Sequence, residues 1–171
     1  ILVHELSAIY SAFCTGRPSP LPELPIQYAD YACWQRERMQ DSVLNKQLDY
    51  WKKHLQGSPS LLELPTDFPR PTKLKHFGAK YHFNISRETT AALSQLGKNH
   101  GVTLFMTLAA AYAVLLSRYT HQEDICIGYP IVNRSHPELQ VLIGFFANTL
   151  VQRIDLSGNP SFTELLVRVK K

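Results

Sequence analysis

"VLIGFFANTLVQRIDL", residues 141–156, decides how this chain is read. The run is mostly apolar, yet Gly144, Phe145, Phe146 and Asn148 occupy its middle. One reading is a buried strand with an irregular start. The other is a backbone feature that sets the Asn148 amide beside something it must touch. From Thr149 the pattern alternates, with Leu150, Ile154 and Leu156 on one face, and alternation of this kind marks a strand.

Working outward, the neighbouring segments are of mixed type. "DICIGYPI" puts Ile125, Ile127, Tyr129 and Ile131 on one face of a second strand. After the quoted stretch, Ser161 and Glu164 have capping-box spacing and open a helix, "FTELLVRVKK". Before it, Thr103 caps "LFMTLAAAYAVLLSRY", a segment apolar nearly all round and expected to be buried. Ser86 caps a helix running to Asn99 and stopped by Gly101, and "KYHFNI" alternates as a strand.

The earlier part of the chain reads as helical. Leu2, Leu6, Ile9 and Phe13 share one helical face, and Gly16 ends it. Four prolines in the eight residues from Pro18 then force an extended connector. "YADYACWQRERM" follows, with Tyr28, Tyr31, Ala32 and Met39 inward. "SVLNKQLDYWKKHLQG" carries a stripe of Leu44, Leu48, Trp51 and Leu55, with Gly57 at its C-cap. Residues 57–79 lack periodicity and are rich in proline, which makes them the expected domain boundary. Neither end shows a capped start or finish, so the reading is of an excerpt from a longer protein.

Composition sets bounds. The chain has 171 residues, enough for one ordinary domain or pieces of two, and its 44% hydrophobic and 19% charged content is globular. A net charge of +4 with scattered basic residues gives no stripe for gripping nucleic acid. Cys14, Cys33 and Cys126 are widely spaced, form no CxxC pair and read as free thiols in a reducing compartment. No signal peptide is visible at Ile1. The uncharged run Val102 to Ser117 is shorter than the roughly 20 residues that span a bilayer. A cytoplasmic protein is therefore expected.

Seven histidines invite catalytic or metal readings. None lies in HExxH or in an i, i+4 pair, and for each one alone a structural place is expected. GxSxG, P-loop and dinucleotide fingerprints are all missing. On residues alone the reading stops at part of a mixed α/β protein.

The order "ELSAIYSAF", "LPIQYADYACWQR", "LDYWKKHLQGSPSLLELPTDFPRP", "GVTLFMTLAAAYAVLLSRYTHQEDICIGYPIVNR", "LIGFFANTLVQR" and "PSFTELLVRVK" resembles the condensation domain of nonribosomal peptide synthetases, end to end. Tyr28 to Arg36 is similar to that family's fourth core motif, and Ile143 to Arg153 to its fifth, I-G-x-F-V-N-T-L-x-x-R. Ala147 stands where valine is usual, and Gln140 where glutamate is common.

The resemblance implies an α/β fold like chloramphenicol acetyltransferase: a two-layer sandwich in each of two lobes, with a tunnel between them. Residues 1–57 would end the first lobe, 58–79 would connect, and 80–171 would begin the second. It also implies amide formation between a donor acyl or peptidyl thioester and an acceptor aminoacyl thioester. Upstream and downstream peptidyl carrier domains supply both on phosphopantetheine arms, beside an adenylation domain of the same synthetase. No directly bound cofactor, metal, nucleic acid or membrane is implied.

The family's H-H-x-x-x-D-G motif does not occur in this chain and is expected upstream of Ile1, so no histidine here inherits its role. By the same resemblance Asn148, Arg134 and Arg153 are the residues for the tunnel or lobe interface. Asn148 would tie a loop by satisfying buried backbone groups, and Arg153 would pair with a carboxylate. Asp67 and Arg70 would clasp the connector, while Trp34 and Trp51 would be core. Two rival readings stand beside the condensing enzyme: a non-catalytic module that docks carrier proteins, and an epimerisation or heterocyclisation variant.

Overall fold

A computed structural model describes residues 1–71, 73 and 78–170. Of the expected connector 58–79, residues 72 and 74–77 lie outside that description. Five helices come first: α1 (Leu2–Cys14), α2 (Tyr28–Arg38), α3 (Asp41–Leu55), α4 (Arg87–Asn99) and α5 (Leu104–Thr120). Strand β1 (Asp124–Val132), a short 3-10 turn (Pro137–Gln140), strand β2 (Ala147–Asp155) and helix α6 (Phe162–Lys170) complete the order. β1 and β2 form a two-stranded sheet. Asn133 N donates to Phe146 O and Leu156 N to Glu123 O, so the pairing residues run in opposite senses and the ladder is antiparallel.

Local chemistry accounts for the element ends. Ser86 Oγ accepts the Thr89 N–H, and Thr103 Oγ1 accepts the Met106 N–H, so α4 and α5 begin on capped donors. Gln27 and Asp30 cap α2 reciprocally. Ser161 N–H donates to Glu164 Oε2 at 2.8 Å, and Glu164 N–H donates to Ser161 Oγ at 3.4 Å, opening α6. Past α1, Gly16 takes the left-handed conformation, φ +68°, while Arg17 N–H reaches back to Ala12 O.

The chain forms two compact units, each discontinuous in sequence. Unit 1 joins 1–54 with 129–150, and unit 2 joins 55–128 with 151–171. In unit 2, α5 packs against α4 and α6. Ile125, Ile154, Leu165 and Leu166 are fully buried there, beside Ala110, Ala113 and Leu116 of α5. Each such aliphatic side chain contributes about 1.5–3 kcal/mol. Gly97 of α4 makes the crossing close, because a Cβ there would sit 3.0 Å from both Thr107 Oγ1 and Val102 O. The core of unit 1 is smaller: Tyr31, Leu139, Leu142 and Phe146, flanked by Leu24 and Ile26.

Several expectations fail among the described residues. "KYHFNI" forms no strand: a ladder needs a partner, and Tyr81 and Phe83 are 89% and 73% exposed. The α3 stripe is real as a face, but Leu44 and Leu48 are exposed and Trp51 and Leu55 only half-buried. Trp34 is likewise exposed, so neither tryptophan is a core residue here. Helix α5 is buried on one face only, leaving Phe105, Leu108, Tyr112, Leu115 and Tyr119 uncovered. No single helix among the described residues is long and apolar enough to cross a membrane.

Candidate functional site

Unit 1 answers the question raised by residues 144–148. Tyr28, at the start of α2, lies on the backbone of Gly144. A Cβ at Gly144 would fall 2.6 Å from Tyr28 Cε2, far inside van der Waals contact, so the position has no room for a side chain. The Tyr28 hydroxyl donates to Phe145 O at 2.8 Å. Phe146 turns inward, edge-on to Tyr28 at 5.2 Å and tilted against Tyr31 at 4.9 Å between ring centroids. The glycine is thus required for close approach of helix and loop, and the two phenylalanines divide the work: one gives its carbonyl, the other its ring.

Arg134 braces the same loop. Its guanidinium lies 4.0 Å from the centre of the Phe146 ring. Nη1 donates to Leu139 O and, at 2.8 Å, to Leu142 O. Gln140 Nε2 returns a bond to Arg134 O at 2.8 Å. Arg134, rather than Asn148, is therefore the residue that satisfies the loop's backbone carbonyls. Asn148 is exposed, and its Oδ1 accepts the N–H of the next residue, Thr149, at 2.8 Å.

That bond orients the Asn148 amide at a cavity of about 500 Å³. Tyr31, Trp34, Gln35, Asn133 and His136 also line it. Gln35 Nε2 and Asn133 Nδ2 both donate to the Tyr31 hydroxyl, at 3.1 and 3.5 Å. Trp34 stands edge-on to His136 at 5.3 Å and carries the Arg38 guanidinium 5.1 Å from its ring centre. Helical spacing supplies this wall, since Tyr31, Trp34 and Gln35 recur at i, i+3 and i+4. Spacing gives the shared face, but nothing in the sequence marks Asn133 or His136 as its partners.

The other expected residues lie elsewhere. Arg153 belongs to unit 2 and forks onto Asp124, with Nε 2.9 Å from Oδ1 and Nη2 2.7 Å from Oδ2. Its Nη1 donates to Gln56 O at 2.9 Å. The hydrogen bond to Asp124 raises the guanidinium pKa further above its ordinary value. Burial, then the Asp124 charge, pushes the Cys126 thiol up from its ordinary 9.0. Asp67 and Arg70 are exposed and do not pair with one another; Arg70 Nη2 donates to Leu62 O at 3.0 Å. A separate cavity of about 590 Å³ in unit 2 is lined by Arg118, His121, Glu123 and Asn159, among others. Among the described residues no group of acidic, histidine and cysteine side chains could hold a metal.

A condensation-domain family model matches residues 1–171, the whole chain. Over 171 residues the chain is 52% identical to a linear gramicidin synthase of Brevibacillus parabrevis. It is 49% identical to malpinin synthetase of Mortierella alpina, again over 171 residues. It spans 3% and 2% of those relatives' lengths. Among solved structures, the X-domain from teicoplanin biosynthesis superposes with a TM-score of 0.86 at 34% identity, covering 96% of this chain and 38% of that one. With the fourth and fifth motifs joined at Tyr28 and Gly144 on an α/β frame, the chain belongs to the condensation-domain family of nonribosomal peptide synthetases.

Proposed function

We propose that the protein containing this chain joins a donor acyl or peptidyl thioester to an acceptor aminoacyl thioester. Both substrates ride on phosphopantetheine arms of upstream and downstream carrier domains, beside an adenylation domain, in the cytoplasm. The acceptor amine attacks the thioester carbonyl, the C–S bond breaks, and the thiol leaves with the proton that the amine gives up. This chain supplies walls and bracing rather than the base, since it holds no H-H-x-x-x-D-G. The observation that carries the reading is the joint itself: Tyr28 closed onto Gly144 and Phe145, with Arg134 behind Phe146. The two stretches that resemble family motifs are built as one object.

The test uses the intact parental domain with both carriers loaded, and mass spectrometry of what the acceptor carrier holds. A product heavier by the donor acyl group supports condensation. An unchanged mass with inverted stereochemistry means epimerisation, and loss of water after joining means heterocyclisation. A docking module is the second reading. It is favoured by the likeness to an X-domain, which is also known in complex with OxyB. Carrier or enzyme binding without any product would select it.

A further inference from the structure

We propose that the side chain of Gln122 substitutes for a neighbouring strand: it clasps residues 58–70 to unit 2 as a strap, which opens as one piece while the core beneath stays folded. Gln122 Nε2 donates to Leu61 O at 3.1 Å, and Gln122 Oε1 accepts the Glu63 N–H at 2.9 Å. In a parallel ladder one residue bonds the C=O and the N–H that flank its opposite number. Here a single carboxamide does so around Leu62. The strap and its clasp all belong to unit 2.

The clasp is held ready by its own surroundings. Gln122 N–H donates to Thr120 Oγ1 at 3.2 Å, and that buried hydroxyl donates to Leu116 O at 2.9 Å. On the other side Glu123 O accepts the Leu156 N–H at 2.7 Å. The backbone at 122 is thus fixed, and only the side chain reaches out to the strap.

The contacts converge on Leu62. Its side chain packs against the core of unit 2. Its O accepts the Leu64 N–H at 2.9 Å and Arg70 Nη2 at 3.0 Å. Glu63 is the centre of that three-residue turn, with negative φ, the relaxed inverse form. Moving Leu62 breaks these contacts together, which makes the strap a cooperative unit of its own. It is separate from the core because Leu61 and Glu63 are exposed, and no helix or strand lies between α3 and α4 among the described residues. Shut, the strap covers the core beside Leu62; open, it bares that apolar edge without global unfolding. The device does not depend on which reaction the parent performs.

The experiment follows hydrogen exchange in the intact parental domain, read by mass spectrometry on residues 61–64, with α5 as the control and thermal melting as the check on folding. Gln122→Ala is expected to speed exchange at Glu63 and Leu64 about ten- to a hundredfold, the worth of two hydrogen bonds. Arg70→Ala removes no partner of either N–H. It is nevertheless expected to speed both about three- to tenfold, because the strap opens as one. Glu63→Ala keeps the N–H and is expected to leave Leu64 unchanged. Glu63→Pro removes the N–H at a compatible φ, and Gln122→Ala added to it is expected to speed Leu64 less than it does alone. Exchange at Leu64 that ignores Gln122→Ala or Arg70→Ala overturns the proposal, as does strict additivity of Glu63→Pro and Gln122→Ala. Equal acceleration in α5 also overturns it, since the whole of unit 2 would then be loosening.

Discussion

At Gly144 the absence of a side chain is the functional group. Gly144→Ala in the parental domain drives a methyl into the Tyr28 ring, an overpacking that costs about 1–3 kcal/mol. Tyr28→Leu in the same molecule should recover part of the loss, because the ring is what the methyl meets. Denaturant midpoints of both singles and the double check this, and strict additivity would show that the contact is not shared. Cys126 makes a second residue-level prediction. Its thiol is held protonated by burial and by Asp124, so iodoacetamide at neutral pH should label it well after the exposed Cys14 and Cys33. Equal labelling rates would contradict that environment. Asn148 was conspicuous in the sequence as an amide in an apolar run. Arg134 was harder to place, because its partners are backbone carbonyls of residues 139 and 142, and a carbonyl has no letter of its own.

Elements were legible where their ends carry chemistry. Ser86, Thr103 and Ser161 sit at the starts that their side chains cap, as the spacing predicts. Periodicity showed which residues share a face but not whether that face is covered, and α3 and α5 both depart from expectation for that reason. Leu166→Ala, in the dry core of unit 2, should cost about 2–5 kcal/mol, whereas Leu48→Ala on exposed α3 should stay within about 0.5 kcal/mol. Chemical denaturation separates the two, and similar losses would mean α3 is packed in the parent.

The α6 cap is also a pH probe. Glu164 is held below its ordinary 4.5, first by the Ser161 side chain and then by its backbone N–H. A carboxylate depressed in the folded state stabilises above its unfolded pKa, and that stabilisation is lost as pH falls through the lower folded value. Asp155 adds the same sign through Ser157, from an ordinary 3.8. Melting temperature should therefore fall below about pH 4.5, and Glu164→Gln should lower it at pH 7 while converging with the unaltered protein in acid.

At the scale of the whole molecule, the family resemblance ran end to end in the sequence, while the grouping of segments into units did not. Contacts between residues a hundred positions apart, such as Tyr28 with Phe145, leave no periodic trace. The uncovered faces of α1 (Leu2, Leu6, Phe13) and α5 (Phe105, Tyr112, Tyr119) predict the behaviour of residues 1–171 expressed alone. They should make it associate or bind hydrophobic dye, because patches of that kind seek cover; without an H-H-x-x-x-D-G motif it should form no amide. Size exclusion with light scattering and a carrier-loaded assay read the two halves separately; a compact monomer or a formed product would contradict them.

The discontinuity of unit 1 bears on recombination. A chimera that exchanges residues 1–54 between related domains leaves 129–150 behind, and so pairs one parent's tyrosine with another parent's loop. Crossovers that carry both segments keep Tyr28, Gly144, Phe146 and Arg134 from a single ancestor. Between two parents that differ at these contacts, the two-segment exchange should yield soluble, active hybrids more often than a single cut near Gly57. The unit of inheritance for a working module is then a pair of separated stretches of chain.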